Sequence, residues 1–363
     1  MRRLLLPHLL ALAPLACGGR AATEAGPPGL VVAGPDAGAD AEPKAGPVCD
    51  GGRCTVTIAS GLPNPSCLAV DSTSVYWATN PTDSNVAIAQ GSSVMKAPIG
   101  GGAVMTLTSG LAGINALTVD ATSVYWTTND IVAKVPLGGG APTQLGATNE
   151  ALGLAVDSAN AYFLEDNGSA PASLERVPLT GSAPALVATV LLPTQAIAVD
   201  STNIYWIDYP QDGPGGVTGN VMKMPKAGGT QTVLATGGRM GGIALDATSV
   251  YWVDGDANAV KRVPIDGGDP ITLATATSIG AFIAVDSASV YYWALADRND
   301  AATPGSLTKV PIAGGAPTTL VSGVYGPFAI AVNATSVFWT AVGLSSGVPG
   351  ASDDGAVMEL TPK

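Results

Sequence analysis

The chain has 363 residues, with 16 Lys and Arg against 28 Asp and Glu, a formal net charge of −12 and a single histidine, His8. That acidic balance argues against a nucleic-acid partner, since phosphate backbones are held by clustered Lys and Arg. If His8 leaves with an export signal, the remaining chain has no imidazole. Ser-His-Asp catalysis, Cys-His catalysis and histidine-based zinc sites are then excluded.

The chain opens with such a signal. Met1-Arg2-Arg3 is a positively charged start, and Leu4 to Ala16 is an apolar run, too short to cross a hydrocarbon layer of about 30 Å at about 1.5 Å per residue. Residues 1–16 therefore read as a signal peptide. Leu15-Ala16-Cys17-Gly18-Gly19 resembles the processing box of bacterial lipoproteins. That resemblance implies that Cys17 carries a lipid and that the protein sits in the bacterial cell envelope, touching the membrane only through the anchor. Ordinary secretion of a soluble chain is the alternative. Residues 17–48 are rich in Ala, Gly and Pro and carry too little apolar surface to offset ordering entropy, so they read as a flexible tether.

Cys49-Asp50-Gly51-Gly52-Arg53-Cys54 is a short flexible loop able to close a local disulfide between Cys49 and Cys54 in an exported chain. Cys67 falls where most other units hold Ala or Gly, and reads as a small core residue.

From residue 66 onward one unit recurs. An apolar run ends in Asp, a few polar residues follow, and an aromatic pair comes next: Asp71 before Tyr76-Trp77, Asp120 before Tyr125-Trp126, Asp157 before Tyr162-Phe163. Asp200 precedes Tyr205-Trp206, Asp246 precedes Tyr251-Trp252, and Asp286 precedes Tyr291-Tyr292-Trp293; the last unit has Asn333 and Phe338-Trp339. A second phrase, such as Lys134-Val135-Pro136-Leu137-Gly138-Gly139, follows every pair but the last and runs into a β-rich stretch. Each unit thus predicts four strands, a to d, with an Asp-capped a–b turn and a glycine c–d hairpin. Repeats of about 40–45 residues holding several short strands mark a β-propeller.

Seven units predict seven blades. The last supplies only a, b and c, and the missing d strand stands at the beginning, where Thr57-Ile58-Ala59-Ser60-Gly61 matches Thr319-Leu320-Val321-Ser322-Gly323. The fold expected for residues 49–363 is all-β, a seven-bladed propeller whose N-terminal strand completes the C-terminal blade and hides two sheet edges. The stretch Val250-Tyr251-Trp252-Val253-Asp254 resembles a YWTD repeat of the low-density-lipoprotein-receptor class. The whole repeat region is similar to bacterial lipoproteins built of such units, a group without a common assigned function. Only Asp208 and Asp254 keep the acid two places after Trp.

The six unit aspartates read as turn caps, since a residue present in nearly every blade serves the blade. Asp254-Gly255-Asp256-Ala257-Asn258 begins like a calcium loop, making Asp254, Asp256 and Asn258 weak metal candidates. Ala259 and Ile265, however, replace the Gly and Glu such a loop needs.

The b–c connections vary most in length and share one end of a propeller with the d–a connections, where binding surfaces are displayed. They carry Asp83, Asp130, Glu165, Asp166, Asp208, Asp212, Asp254, Asp256, Asp297, Asp300, Asp353 and Asp354 against Arg298. The expectation is a non-enzymatic scaffold, without a cofactor, that binds a protein or cationic polymer through an acidic loop face. The alternative is a calcium-dependent hydrolase or lactonase-like propeller with a carboxylate-lined central site.

Overall fold

The computed structural model describes residues 46–80, 91–166, 171–209, 218–297, 303–342 and 355–363. The signal peptide, Cys17 and nearly all of the tether lie outside these, as do Asp83, Asp212, Asp300, Asp353 and Asp354. Every regular element among the described residues is a strand. The strands form seven antiparallel sheets, one for each sequence unit. In blade 1 the strands are Pro65–Val70 (a), Ser74–Thr79 (b), Ser92–Pro98 (c) and Met105–Leu111 (d). The a strand of each blade packs against the a strand of the next, and that of blade 7, Pro327–Val332, returns to Pro65–Val70. The sheets therefore close into a ring with the a strands innermost.

The aromatic pair explains why the sheets stack. Adjacent residues of a strand point to opposite faces, so Tyr and Trp of one blade are buried in two different seams. Tyr76 packs with Trp126 of blade 2, Tyr125 with Phe163, Tyr162 with Trp206 and Tyr205 with Trp252. Tyr251 meets Tyr292, Tyr291 shares a cluster with Trp339, and Phe338 completes the circle against Trp77. Blade 6 carries an extra aromatic, Trp293, which meets Trp339 edge-on with ring centroids 6.4 Å apart. Each ring buries about 200 Å², worth about 5 kcal/mol at ~25 cal/mol per Å².

The turn aspartates orient that stack. Asp246 Oδ1 accepts the N–H groups of Thr248 and Ser249 at 2.7 and 2.8 Å, while Oδ2 accepts the Tyr251 hydroxyl at 2.6 Å. The same set recurs at Asp71, Asp120, Asp157, Asp200 and Asp286. One carboxylate thus caps the turn with one oxygen and aims the aromatic with the other. Partial burial works against ionisation of Asp157, but Lys226, the turn N–H groups and the Tyr162 hydroxyl bring its carboxyl down to about 2. Burial and the Asp157 carboxylate together push the Tyr162 phenol up to about 12.

Blade 7 departs from this set in a correlated way. Its aromatic is Phe338, which has no hydroxyl, and its cap is Asn333, whose Oδ1 still accepts Thr335 and Ser336 N–H at 3.0 and 2.8 Å. The strand that precedes the first unit, Arg53–Leu62, pairs with Gly355–Thr361 as the d strand of this blade, so the ring closes between the two ends of the repeat region. A short outer strand, Val48–Asp50, adds a fifth member. The Cys49–Cys54 segment is thus a β-hairpin where the sequence suggests a flexible loop, and the two cysteines form a disulfide across it. Cys67 is buried between blades 1 and 2, and no described cysteine is free.

A double-mutant cycle tests the coupling of cap and aromatic. Tyr251→Phe leaves Asp246 Oδ2 without its donor and should cost about 1–2 kcal/mol. Adding Asp246→Asn reproduces the Asn333–Phe338 arrangement, so urea denaturation should give a double mutant about 1 kcal/mol more stable than the sum of the singles. Additive losses would show the two residues to be independent.

Candidate functional site

With a innermost, the b–c and d–a connections emerge at one end of the ring and the capped turns at the other. Strand alternation then decides which acids of the loop end reach solvent. Glu165, Asp208 and Asp254 stand two places after Phe163, Trp206 and Trp252, within their b strands and on the same buried side. Their exposures are 8, 1 and 2 %. The sequence assigned these three to a displayed acidic surface, and the structure corrects that: they are wall residues of the blades 2–3, 3–4 and 4–5 seams.

The three differ in their partners. Asp254 is bound by Lys261 Nζ at 2.7 Å and by the Ala257 N–H at 3.0 Å. Asp208 has the Asn220 amide at 3.3 Å; burial outweighs it and pushes the carboxyl up. Glu165 accepts the backbone N–H of Asn149. Burial pushes its carboxyl up as well, the Asn149 N–H opposes this, and the Glu175 carboxylate adds to it.

The weak calcium candidates are engaged within the chain. The Lys261 ammonium binds Asp254, and Asp256 accepts the N–H and Nε of Arg239 at 3.1 and 3.3 Å. Asn258 turns the hairpin in the left-handed region, φ +49°. The described residues contain no group of three or more carboxylate or thiol side chains placed to hold a metal.

Among the described residues, three of the loop-end acids that reach solvent stand together at the top of the blades 2–3 seam, while Asp256 on blade 5 is exposed elsewhere. Asp130 is exposed and Asp166 half-buried. Between them lies Glu150, exposed and in the left-handed region at φ +65°. Backbone bonds weld the three segments together: Glu150 N–H to Asn129 O at 2.6 Å, Thr148 N–H to Asp130 O at 2.8 Å, and Asp166 N–H to Glu150 O at 3.2 Å. Asp297 is exposed on blade 6, away from this corner. Glu150 and Arg239 were missed by counting only b–c loops. The signal was available, because the same topology places the short d–a turns on the same end.

The central channel has a different character. The seven innermost strands, including Ala116–Val119, Ala151–Val156, Leu192–Val199, Met240–Leu245 and Ser278–Val285, contain no Asp, Glu, Lys or Arg. A carboxylate-lined site on these strands is therefore ruled out by their composition.

No protein-family model and no curated protein matches the chain. Among solved structures it is similar in fold to a streptogramin B lyase, at 12 % identity and a TM-score of 0.58 over 86 % of this chain and 98 % of that one. A nidogen/laminin complex matches at 18 % identity and a TM-score of 0.47, over 61 % of this chain and 86 % of that one. The tricorn protease matches at 10 % and 0.42, over 82 % and 33 %. The first likeness shows the β-propeller fold, and nothing finer is taken from the other two.

The pairing of Asp254 with Lys261 can be tested directly. Lys261→Met leaves a carboxylate that is 3 % exposed without its counterion and should cost about 3 kcal/mol in chemical denaturation. A loss under about 0.5 kcal/mol would show that the ion pair does not matter to the fold.

Proposed function

We propose that this protein is a non-enzymatic, lipid-anchored propeller of the cell envelope that binds a basic protein or a cationic polymer through its loop end. The observation that supports this best is the corner formed by Asp130, Glu150 and Asp166, welded by backbone hydrogen bonds onto a rigid ring. Fixed carboxylates on a preorganised scaffold attract a cationic partner without an ordering cost on this side. The innermost strands carry no Asp, Glu, Lys or Arg, which favours this binding reading over the calcium-dependent hydrolase alternative.

Two experiments test the proposal. Poly-lysine should bind the purified chain with an affinity that falls steeply with salt. The triple variant Asp130→Lys, Glu150→Lys and Asp166→Lys should weaken that binding at least tenfold while leaving thermal stability nearly unchanged. Equal binding by the triple variant would remove the corner from the interface.

The anchor is tested by mass spectrometry of the chain from its native host. The expected N-terminal fragment begins at Cys17 and carries a diacylglyceryl modification. An unlipidated Cys17, for example one found in a disulfide with Cys67, would overturn the anchor.

A further inference from the structure

Two rings on the inner wall have no counterpart in the other blades. Four places before its cap residue, blade 6 has Phe282 where the others have Cys67, Ala116, Gly153, Ala196, Gly242 and Ala329. Five places before its cap, blade 7 has Phe328, and no other blade has an aromatic residue there. The two rings meet in the blades 6–7 seam with centroids 4.5 Å apart and planes tilted at 49°. Both are half-buried on innermost strands, so their free faces look to the channel and its loop-end mouth. Tyr325, three places before Phe328 in the turn that enters blade 7, is 52 % exposed.

The backbone beneath these rings is fixed. Trp293, the extra aromatic of blade 6, donates its indole N–H to Phe328 O at 2.8 Å. Gly280 leaves room for it, since a Cβ there would stand 2.8 Å from Trp293 Cβ. The Val342 N–H donates to Gly326 O at 2.9 Å and holds the turn behind Tyr325. Part-exposed rings on a fixed backbone make a preorganised apolar contact.

The chain carries one segment suited to that contact. Between Gly18 and Ala45 the only large apolar residues are Leu30, Val31 and Val32, directly after Pro27-Pro28-Gly29. Strand register shows which way this part of the chain leaves the propeller. Val48 pairs with Thr55 and Asp50 with Arg53, while Arg53–Leu62 runs toward the loop end. The residues before Val48 therefore leave the outer edge of blade 7 toward that same end. The outer strand and strand a of blade 7 are the two edges of a five-stranded sheet, about 19 Å apart at ~4.8 Å per strand. Residues 33–45, about 13 links, have an r.m.s. span of about 20 Å. The distance and the linker match.

We propose that Leu30-Val31-Val32 docks on the platform of Phe282, Phe328 and Tyr325 in its own chain. The platform lies across the ring from the acidic corner, and the docking does not depend on that corner's role. A linker whose span equals the distance holds the segment at roughly millimolar effective concentration, so a contact too weak to persist between separate molecules is occupied within one. Pro27 and Pro28 restrict the backbone ahead of the apolar residues and lower the ordering cost. Docking leaves only residues 18–26 between Cys17 and the propeller, at most about 35 Å of chain, and turns the loop end toward whatever holds Cys17.

Limited elastase digestion of the full chain tests this. Elastase cuts after Val and Ala, so Val31 and Val32 report the docked segment while Ala37 and Ala39 report the linker. A synthetic peptide of residues 26–42 gives the ratio of the two cleavages without the propeller. In the full chain, cleavage at Val31 and Val32 should fall about fivefold relative to that ratio, because proteolysis follows the population of the open form. Phe282→Ala, which restores the residue found in blades 2, 4 and 7, should return it most of the way, and so should Tyr325→Ser. The second variant changes an exposed side chain, so the outcome does not hang on how well the first one folds. Cleavage at the peptide's ratio in the unmodified chain would overturn the docking. Protection that survives both variants overturns it too, by placing the segment elsewhere. Protection that grows with protein concentration overturns it by handing the platform to a second copy.

Discussion

The structure depends on one alternation: in each blade the two members of an aromatic pair point into opposite seams. Seven such pairs make seven apolar seams, and because each ring serves only one seam, no blade can be removed without orphaning two neighbours. At about 5 kcal/mol per buried ring against about 1 kcal/mol per hydrogen bond, burial dominates the cohesion. The Asp–Tyr bond contributes orientation. It fixes the phenol at the turn end of the seam, so that the indole of the next blade meets it at a set height.

This division of labour makes the two ends of the ring chemically different. At the turn end, carboxylates are surrounded by donors and ionise readily, so their contribution to stability is complete above 3.8 and lost on acidification toward about 2. At the loop end, Glu165 and Asp208 sit on buried strand faces with few donors, and their linkage has the opposite sign. A single net charge of −12 therefore conceals two populations of carboxylates with opposed responses to pH.

What could be read from the sequence follows from what is local in the fold. The repeat, the blade count, the Asp cap and the borrowed closing strand all depend on residues within one unit, or on matching one unit to another. The loop-end chemistry does not. Glu165, Asp208 and Asp254 look like loop acids because they precede loops, yet strand alternation turns them into the seam. Lys261 lies seven residues after Asp254 and reaches it across a hairpin. Arg239 reaches Asp256 from the preceding blade's d–a turn, a proximity with no fixed spacing. Glu150 stood in a turn too short to attract notice, though topology puts it beside Asp130 and Asp166.

Repetition then supplies a control that a non-repeating fold lacks, because each blade tests the others' substitutions in the same environment. Blade 7 replaces Asp, Tyr and the strand-c Lys with Asn333, Phe338 and Glu359. The Glu359 carboxylate takes Ser336 Oγ at 2.8 Å and Gly100 N–H of blade 1 at 2.7 Å. Elsewhere that strand-c position donates, as Lys96 Nζ does to Leu137 O at 2.9 Å and Lys223 Nζ to Ile265 O at 2.7 Å. The closing seam thus reverses donor and acceptor, and the loss of the cap's negative charge at Asn333 is what allows a buried carboxylate beside it. Three changes that look like decay of the repeat are one electrostatic exchange. By the same reasoning, Glu175 in the place of Lys261 is a change without the ammonium that blade 5 supplies, and it stands beneath the corner formed by Asp130, Glu150 and Asp166.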